Sequence, residues 1–193
     1  MRHNYVIEGP CHRLRPVELS DADLIDELRQ DPNSSRFLHS SSREKSAQIE
    51  WISRYFETPG DFYFVVEGKT SREACGLISL YEVSAKNMSA EWGRWIIRPG
   101  SLAGIESVLL ILQFGFEVIR VDRTYCRTIT ANEQVVSFHD SLGLKRVAVM
   151  PRYLEKDGEV FDAIEHELSV DNWPVTKDKL VGFVSRLCAR KAG

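Results

Sequence analysis

A chain of 193 residues, 43% hydrophobic and 27% charged, has the makeup of one globular domain with a full core and at most a terminal appendage. Its formal net charge of −3 gives no bulk attraction for nucleic acid, and no apolar run reaches the length of a membrane span. The start "MRHNYVIEGPCHRL" has no apolar signal core, so a cytoplasmic protein is expected. Cys11, Cys75, Cys126 and Cys188 lie far apart without metal-ligand spacing, which suggests reduced, packed thiols and no metal site.

Residues 1–10 read as a loose lead-in, and "CHRLRPV" (11–17) alternates as a first strand. Ser20, with Asp23 three residues on, marks a helix start, and Leu24, Ile25 and Leu28 give that helix one apolar face before Asp31-Pro32 ends it. After the polar "NSSRFLHSSSRE", a second amphipathic helix spans roughly 43–57 on Ile49, Ile52, Tyr55 and Phe56. Three strand-like runs follow, at 62–68, 75–83 and 90–97, the first two joined by the turn-like "GKTSRE".

A mostly apolar helix is expected from about 103 to 119, then a strand "RTYCRTI" (123–129) and a short helix (132–143) closed by Gly143. The segments "KRVAVMPRYL" and "EVFDAIEHELS" form a closing pair around Lys156-Asp157-Gly158. A last helix carries Leu180, Phe183, Val184 and Leu187, a stripe that needs a partner, either the domain itself or a second subunit in a homodimer. This order predicts an α/β fold with a mixed sheet and helices on both faces, plus a C-terminal helix.

The stretch "WIIRPGSLAGIESVLLILQFGF" puts a strand, a small-residue loop and a helix start close together. Converging N–H groups at a helix N-terminus can cradle a phosphate, although such a loop can also simply turn the chain. Together with "RLRPVELSDADLIDELRQD", "AEWGRWII" and "DRTYCRTITANEQVVSFHDSLGLK", it resembles the GNAT superfamily of acyl-CoA-dependent N-acetyltransferases over about residues 11–170. Residues 1–10 are then a lead-in and 171–193 a C-terminal helical appendage. The most specific piece is Asn132 with Val135, Phe138, Gly143 and Leu144 at the family's spacing. The loop departs from the family's Gln/Arg-x-x-Gly-x-Gly/Ala: Pro99, Leu102 and Gly104 stand at its named positions, with Gly100 as a second small residue and Leu102 acceptable if turned into the core.

The resemblance implies a splayed sheet in which acetyl-CoA lies along the strand "AEWGRWII". Its cofactor contacts would be Trp95, Ile96 and Ile97, the loop and helix start Leu102, Ala103, Gly104 and Ile105, and Asn132. Asn132 also fits as the N-cap of its helix. Glu91 stands where the family often has a carboxylate that takes the amine proton through water; otherwise it is an outward strand residue paired with Arg94 or Arg127. His139 replaces the tyrosine that commonly protonates the leaving thiolate, and it can act as acid, act as base, stack on substrate, or be a buried neutral histidine. Tyr125 is a lesser candidate donor.

Arg36 and His39, with Ser40 and Ser41, lie in the segment that shapes the acceptor pocket in the family, though any one of them reads equally as solvated loop. The implied reaction is acetyl transfer from acetyl-CoA to a small-molecule primary amine, best a nucleotide-linked amino sugar of polysaccharide synthesis. Arg36, Arg43, Arg94 and Arg152 offer cationic groups for its diphosphate. The alternatives are a protein N-terminal amine and a non-catalytic acyl-CoA-binding module.

Overall fold

In "FYFVVEG", Phe62, Phe64 and Val66 alternate with Tyr63 and Val65, so a strand here has two apolar faces and both must be covered. The computed structural model, which describes residues 2–31, 37 and 45–191, covers both. The strands are β1 (Ile7–Glu8), β2 (His12–Pro16), β3 (Phe62–Gly68), β4 (Ala74–Ser84), β5 (Ser89–Ile97), β6 (Arg123–Ile129), β7 (Lys145–Lys156) and β8 (Glu159–Ser169). The helices are α1 (Ala22–Gln30), α2 (Lys45–Glu57), α3 (Ala103–Gln113), α4 (Glu133–Leu142) and α5 (Trp173–Lys191). The eight strands form one open sheet in the order β1-β2-β3-β4-β5-β6-β8-β7, antiparallel except for the parallel β5–β6 pair. The expected mixed α/β architecture is therefore observed.

On one face, Phe64, Val66, Ile78, Leu80 and Trp92 pack against α3 and α5; on the other, Tyr63, Val65, Leu77 and Ile96 pack against α1 and α2. Leu180 and Val184 are 0% and 1% exposed within the first cluster, so the partner of the C-terminal stripe is the domain's own α3. Trp173 stacks on Phe116 and donates its indole N–H to Glu117 at 2.9 Å, which fixes the start of α5.

Four local expectations change. Residues 7 and 8 form β1 instead of a loose lead-in, because Ile7 and Glu8 find Leu14 and Arg13 across a tight turn. The entry to α1 is a 3₁₀ turn, Leu19–Asp21, in which Asp21 accepts the Glu18 N–H at 2.8 Å; Ser20 is not the cap. The α-helix after the glycine loop ends at Gln113 and continues as a π-turn over Phe114–Ile119, stopped by Arg120 in the left-handed region (φ 62°). Lastly, Cys11 and Cys188 are joined as a disulfide with Cα atoms 6.3 Å apart, while Cys75 and Cys126 carry thiols outside any disulfide. Packing α5 beside the start of β2 brings together residues 177 positions apart, a proximity that spacing cannot reveal.

Two features of β5 open the sheet. Ser79 pairs with Gly93 and Leu77 with Ile96, so β5 spends one residue more than β4 at that point, and Arg94 takes φ 48°. Such a bulge bends the strand and strengthens its twist. The parallel pairing of β5 with β6 is confined to Ser89–Glu91 against Arg123–Tyr125. Beyond Glu91 the two strands part, β6 staying with β8 and β5 turning toward α3.

Candidate active site

The gap between the parting strands is a cavity of about 220 Å³. Its walls are Glu91 to Trp95 of β5, Cys126 to Ile129 of β6, Asn132, Val135 and His139 at and within α4, Tyr81 of β4, and Tyr153 and Leu154 of β7; Arg29 and Phe37 also line it.

Glu91 sits where pairing stops, 3% exposed. Tyr81 donates to its Oε1 at 2.8 Å, and Arg127 donates to its Oε2 at 2.8 Å. Burial pushes the carboxyl pKa above the ordinary value; the Tyr81 hydrogen bond and the Arg127 charge oppose this without cancelling it. Arg127 is shared, since its Nε also donates to Glu165 at 3.0 Å. The arginine paired with Glu91 is thus Arg127. Arg94 instead makes a two-pronged ion pair with Asp61 at 2.7 and 2.9 Å and lies 4.4 Å from the Tyr81 ring centre. The phenol of Tyr81 is held well above its usual range by burial and by the adjacent Glu91.

His139 also reaches the cavity, but as a wall, 2% exposed between Trp92 and His166, with ring centres 5.2 Å away in each case. Burial lowers its pKa to about 3, so the imidazole is neutral at neutral pH. Tyr125 lies outside the cavity lining and donates to Glu82 at 2.9 Å.

The cofactor-side residues fall along one line. Trp95 lines the cavity, stacks on Phe138 and donates to Ser107 at 3.0 Å. Ile96 is buried against α1 and α2, and Ile97 pairs with Gly76. The loop then turns at Gly100, whose φ of 80° favours glycine, and Ser101 accepts the Ala103 N–H at 3.3 Å. Ala103 is buried, while Gly104 and Ile105 are partly exposed at the first turn of α3, where backbone N–H groups lack intrahelical partners. Leu102 is 48% exposed, so its side chain points outward and not into the core, because the core position is taken by Ala103. A Cβ on Gly104 would meet only Trp95, at 3.6 Å. Asn132 occupies the N-cap position, but its side chain makes no capping hydrogen bond and it lines the cavity.

Of the acceptor-side residues, Arg36, His39, Ser40, Ser41 and Arg43 lie outside the described residues. Arg152 is exposed outside the lining. Tyr81 and Tyr153 went unnoticed in the sequence. Tyr81 was accessible only through the register that sets it opposite Glu91, and Tyr153 only through the packing of β7.

The sequence model of the acetyltransferase (GNAT) domain matches residues 12–145, and the chain belongs to that family. It is an acetyl-CoA-dependent N-acetyltransferase with acetyl-CoA as co-substrate. Solved structures agree on the fold. A nucleotide-linked sugar GNAT, FdhC, superposes with a TM-score of 0.77 at 23% identity, covering 93% of this chain and 98% of that one. A GCN5-related N-acetyltransferase from Brucella melitensis gives a TM-score of 0.79 at 18% identity, covering 93% and 85%. A chimera of the spermidine N-acetyltransferase SpeG from Vibrio cholerae and hSSAT gives 0.76 at 19% identity, covering 84% and 97%. No curated protein matches the chain by sequence.

Proposed function

We propose that this enzyme acetylates the amino group of a nucleotide-linked amino sugar, with Glu91 as the proton acceptor. The observation that carries the acceptor class is the make-up of the lining: among the described residues it presents three guanidinium groups and one carboxylate, Glu91, with Arg94 ion-paired to Asp61 and Arg127 to Glu91 and Glu165, so that these two are held in fixed positions at the cavity. A polyamine would need carboxylates in excess, and a diphosphate-bearing acceptor is matched by guanidinium groups. Tyr81, Tyr153 and Phe37 supply flat apolar faces for a sugar ring or base. The fold likeness to a nucleotide-linked sugar GNAT agrees with this choice.

The roles follow from the residues. Acetyl-CoA supplies the activated acetyl thioester. The stretch of β5 from Trp95 to Ile97, which runs beside β4 but beyond its pairing with β6, the turn at Gly100, the start of α3 and the Asn132 side chain would hold it. Glu91 takes the proton of the incoming ammonium; its raised pKa makes it a better base than an exposed carboxylate. Arg127 and Tyr81 keep it aimed. His139 is neutral, so in this reading it shapes the cavity and holds no stored proton for the thiolate.

The test is thiol release from acetyl-CoA with three amines: a nucleotide-linked amino sugar, spermidine and a peptide N-terminus. The nucleotide-linked sugar is expected to give the highest kcat/KM. Preference for spermidine or the peptide overturns the acceptor assignment. Tight acetyl-CoA binding without turnover of any amine leaves a cofactor-binding module.

A further inference from the structure

Behind the cavity wall three buried side chains converge. Cys126, His139 and His166 are 3%, 2% and 0% exposed, and one ligand atom from each lies within 4.8 Å of the other two. Cys126 Sγ and His139 Nδ1 are 3.6 Å apart. That is about the separation of two tetrahedral ligands held at ~2.3 and ~2.1 Å from zinc. Thr128 Oγ1 stands 3.3 Å from the same His139 nitrogen.

His166 shows the second mark of such a site. Its Nε2 lies 3.3 Å from Asp140, a carboxylate also held by Arg146, and its Nδ1 is buried with no partner among the described residues. A carboxylate on one imidazole nitrogen, leaving the lone pair of the other directed inward, is how metal-binding histidines are oriented. A buried imidazole nitrogen without a partner is costly, and a cation shared with Cys126 Sγ and His139 Nδ1 would satisfy the unmet nitrogen of His166.

We propose that Cys126, His139 and His166 form a binding site for a thiophilic divalent cation of the zinc class. The donor set is one soft thiol and two imidazoles, which suits zinc over magnesium or calcium. Binding breaks the Cys126 S–H bond, forms a sulfur–metal bond and releases that proton to solvent, so affinity falls as pH falls. Cys126 and His139 also line the cavity, so an ion here would sit against its wall. The proposal does not depend on which amine is acetylated.

The experiment titrates the purified full chain with Zn²⁺ against a chromophoric chelator, and separately with Co²⁺. One equivalent per chain and a near-ultraviolet thiolate-to-cobalt band are expected. Cys126→Ser is expected to abolish the band, and His166→Gln to weaken Zn²⁺ binding more than tenfold. Asp140→Asn, acting through His166, is expected to weaken it about 10–100-fold. Circular dichroism melts check that each variant is folded. Should His166→Gln not fold, alkylation of Cys126 in the unaltered chain decides: one equivalent of Zn²⁺ protects it if the site is real. Absence of the cobalt band, Zn²⁺ affinity unchanged in Cys126→Ser, or loss of binding on Cys188→Ser overturns the proposal. The last outcome would move the ion to Cys11, Cys188 and Glu106, the other close donor group, whose sulfurs are bonded to each other in this structure.

Discussion

Glu91 and Glu106 are two carboxylates buried to nearly the same degree, 3% and 2% exposed, and their environments drive them in opposite directions. Glu106 on α3 accepts the backbone N–H groups of Cys11 and His12 at 2.9 and 3.1 Å and the His12 ring at 2.6 Å. Burial raises its pKa, but these three donors outweigh that, and the net shift is downward. Glu91 has one phenol and one shared guanidinium, and burial wins. Donors fixed by the backbone make a charge structural; a carboxylate with fewer donors, opening onto a cavity, stays basic enough to take a proton. The comparison separates a pin between β2 and α3 from the carboxylate proposed as the base.

Substitution should break the two apart. Glu91→Gln keeps size and loses the base, so kcat is expected to drop about 10²–10⁴-fold with a melting temperature close to the parent's. Steady-state thiol release and a thermal melt on the same sample check both halves. Glu106→Ala removes the acceptor that pins Cys11 and His12, and a loss of roughly 3–5 kcal/mol is expected in denaturant unfolding. A stable, inactive Glu106→Ala with an active Glu91→Gln would reverse the assignment.

The Cys11–Cys188 link lies beside the same pin, since both sulfurs and Glu106 line one small pocket. Thiol titration of the denatured, unreduced chain should count two thiols, those of Cys75 and Cys126. Cys188→Ser should lower stability by about 2–5 kcal/mol relative to the oxidised protein. Four free thiols in the unreduced protein would show the link absent.

The pH dependence of the two carboxylates should have opposite sign. The folded pKa of Glu91 lies above the unfolded reference of 4.5, so folding favours its protonated form. Its charge therefore costs stability as pH rises through the window above 4.5, while kcat/KM rises over that window as the base forms. The folded pKa of Glu106 lies below 4.5, so its stabilisation is present above that value and is lost as pH falls through the folded pKa. Unfolding curves of Glu91→Gln and Glu106→Gln across pH should each flatten one side only. The smallest effect belongs to Leu102: exposed at the loop, Leu102→Ala should leave stability within about 0.5 kcal/mol in a thermal melt.

Much of the scaffold was legible in advance because local periodicity reports which faces are buried. The runs 62–68 and 123–129 coincide with β3 and β6, and the Lys156-Asp157-Gly158 turn has φ of 53° at Asp157 and 82° at Gly158, as its composition demands. The first strand was missed because Ile7–Glu8 is two residues long and exists only through its pairing. At the site, Glu91, His139 and Asn132 were found through the family's spacing, and the structure brings all three to one cavity. For the partner of Glu91 the sequence left Arg94 or Arg127, and only the structure selects Arg127; the Arg94–Asp61 pair and the outward Leu102 were not legible, since each depends on contacts between strands or on which side chain fills the core.

The sequence by itself determined the alternation of elements, the glycine turn before α3 and the residues that carry the family resemblance, because these rest on interactions a few positions apart. Only the tertiary structure decided where β5 leaves β6, which carboxylate is held charged and which is left basic, that Cys11 meets Cys188, and that two histidines and a cysteine share one buried spot. Those outcomes depend on the register and desolvation set when distant strands and helices pack, and no local pattern encodes them.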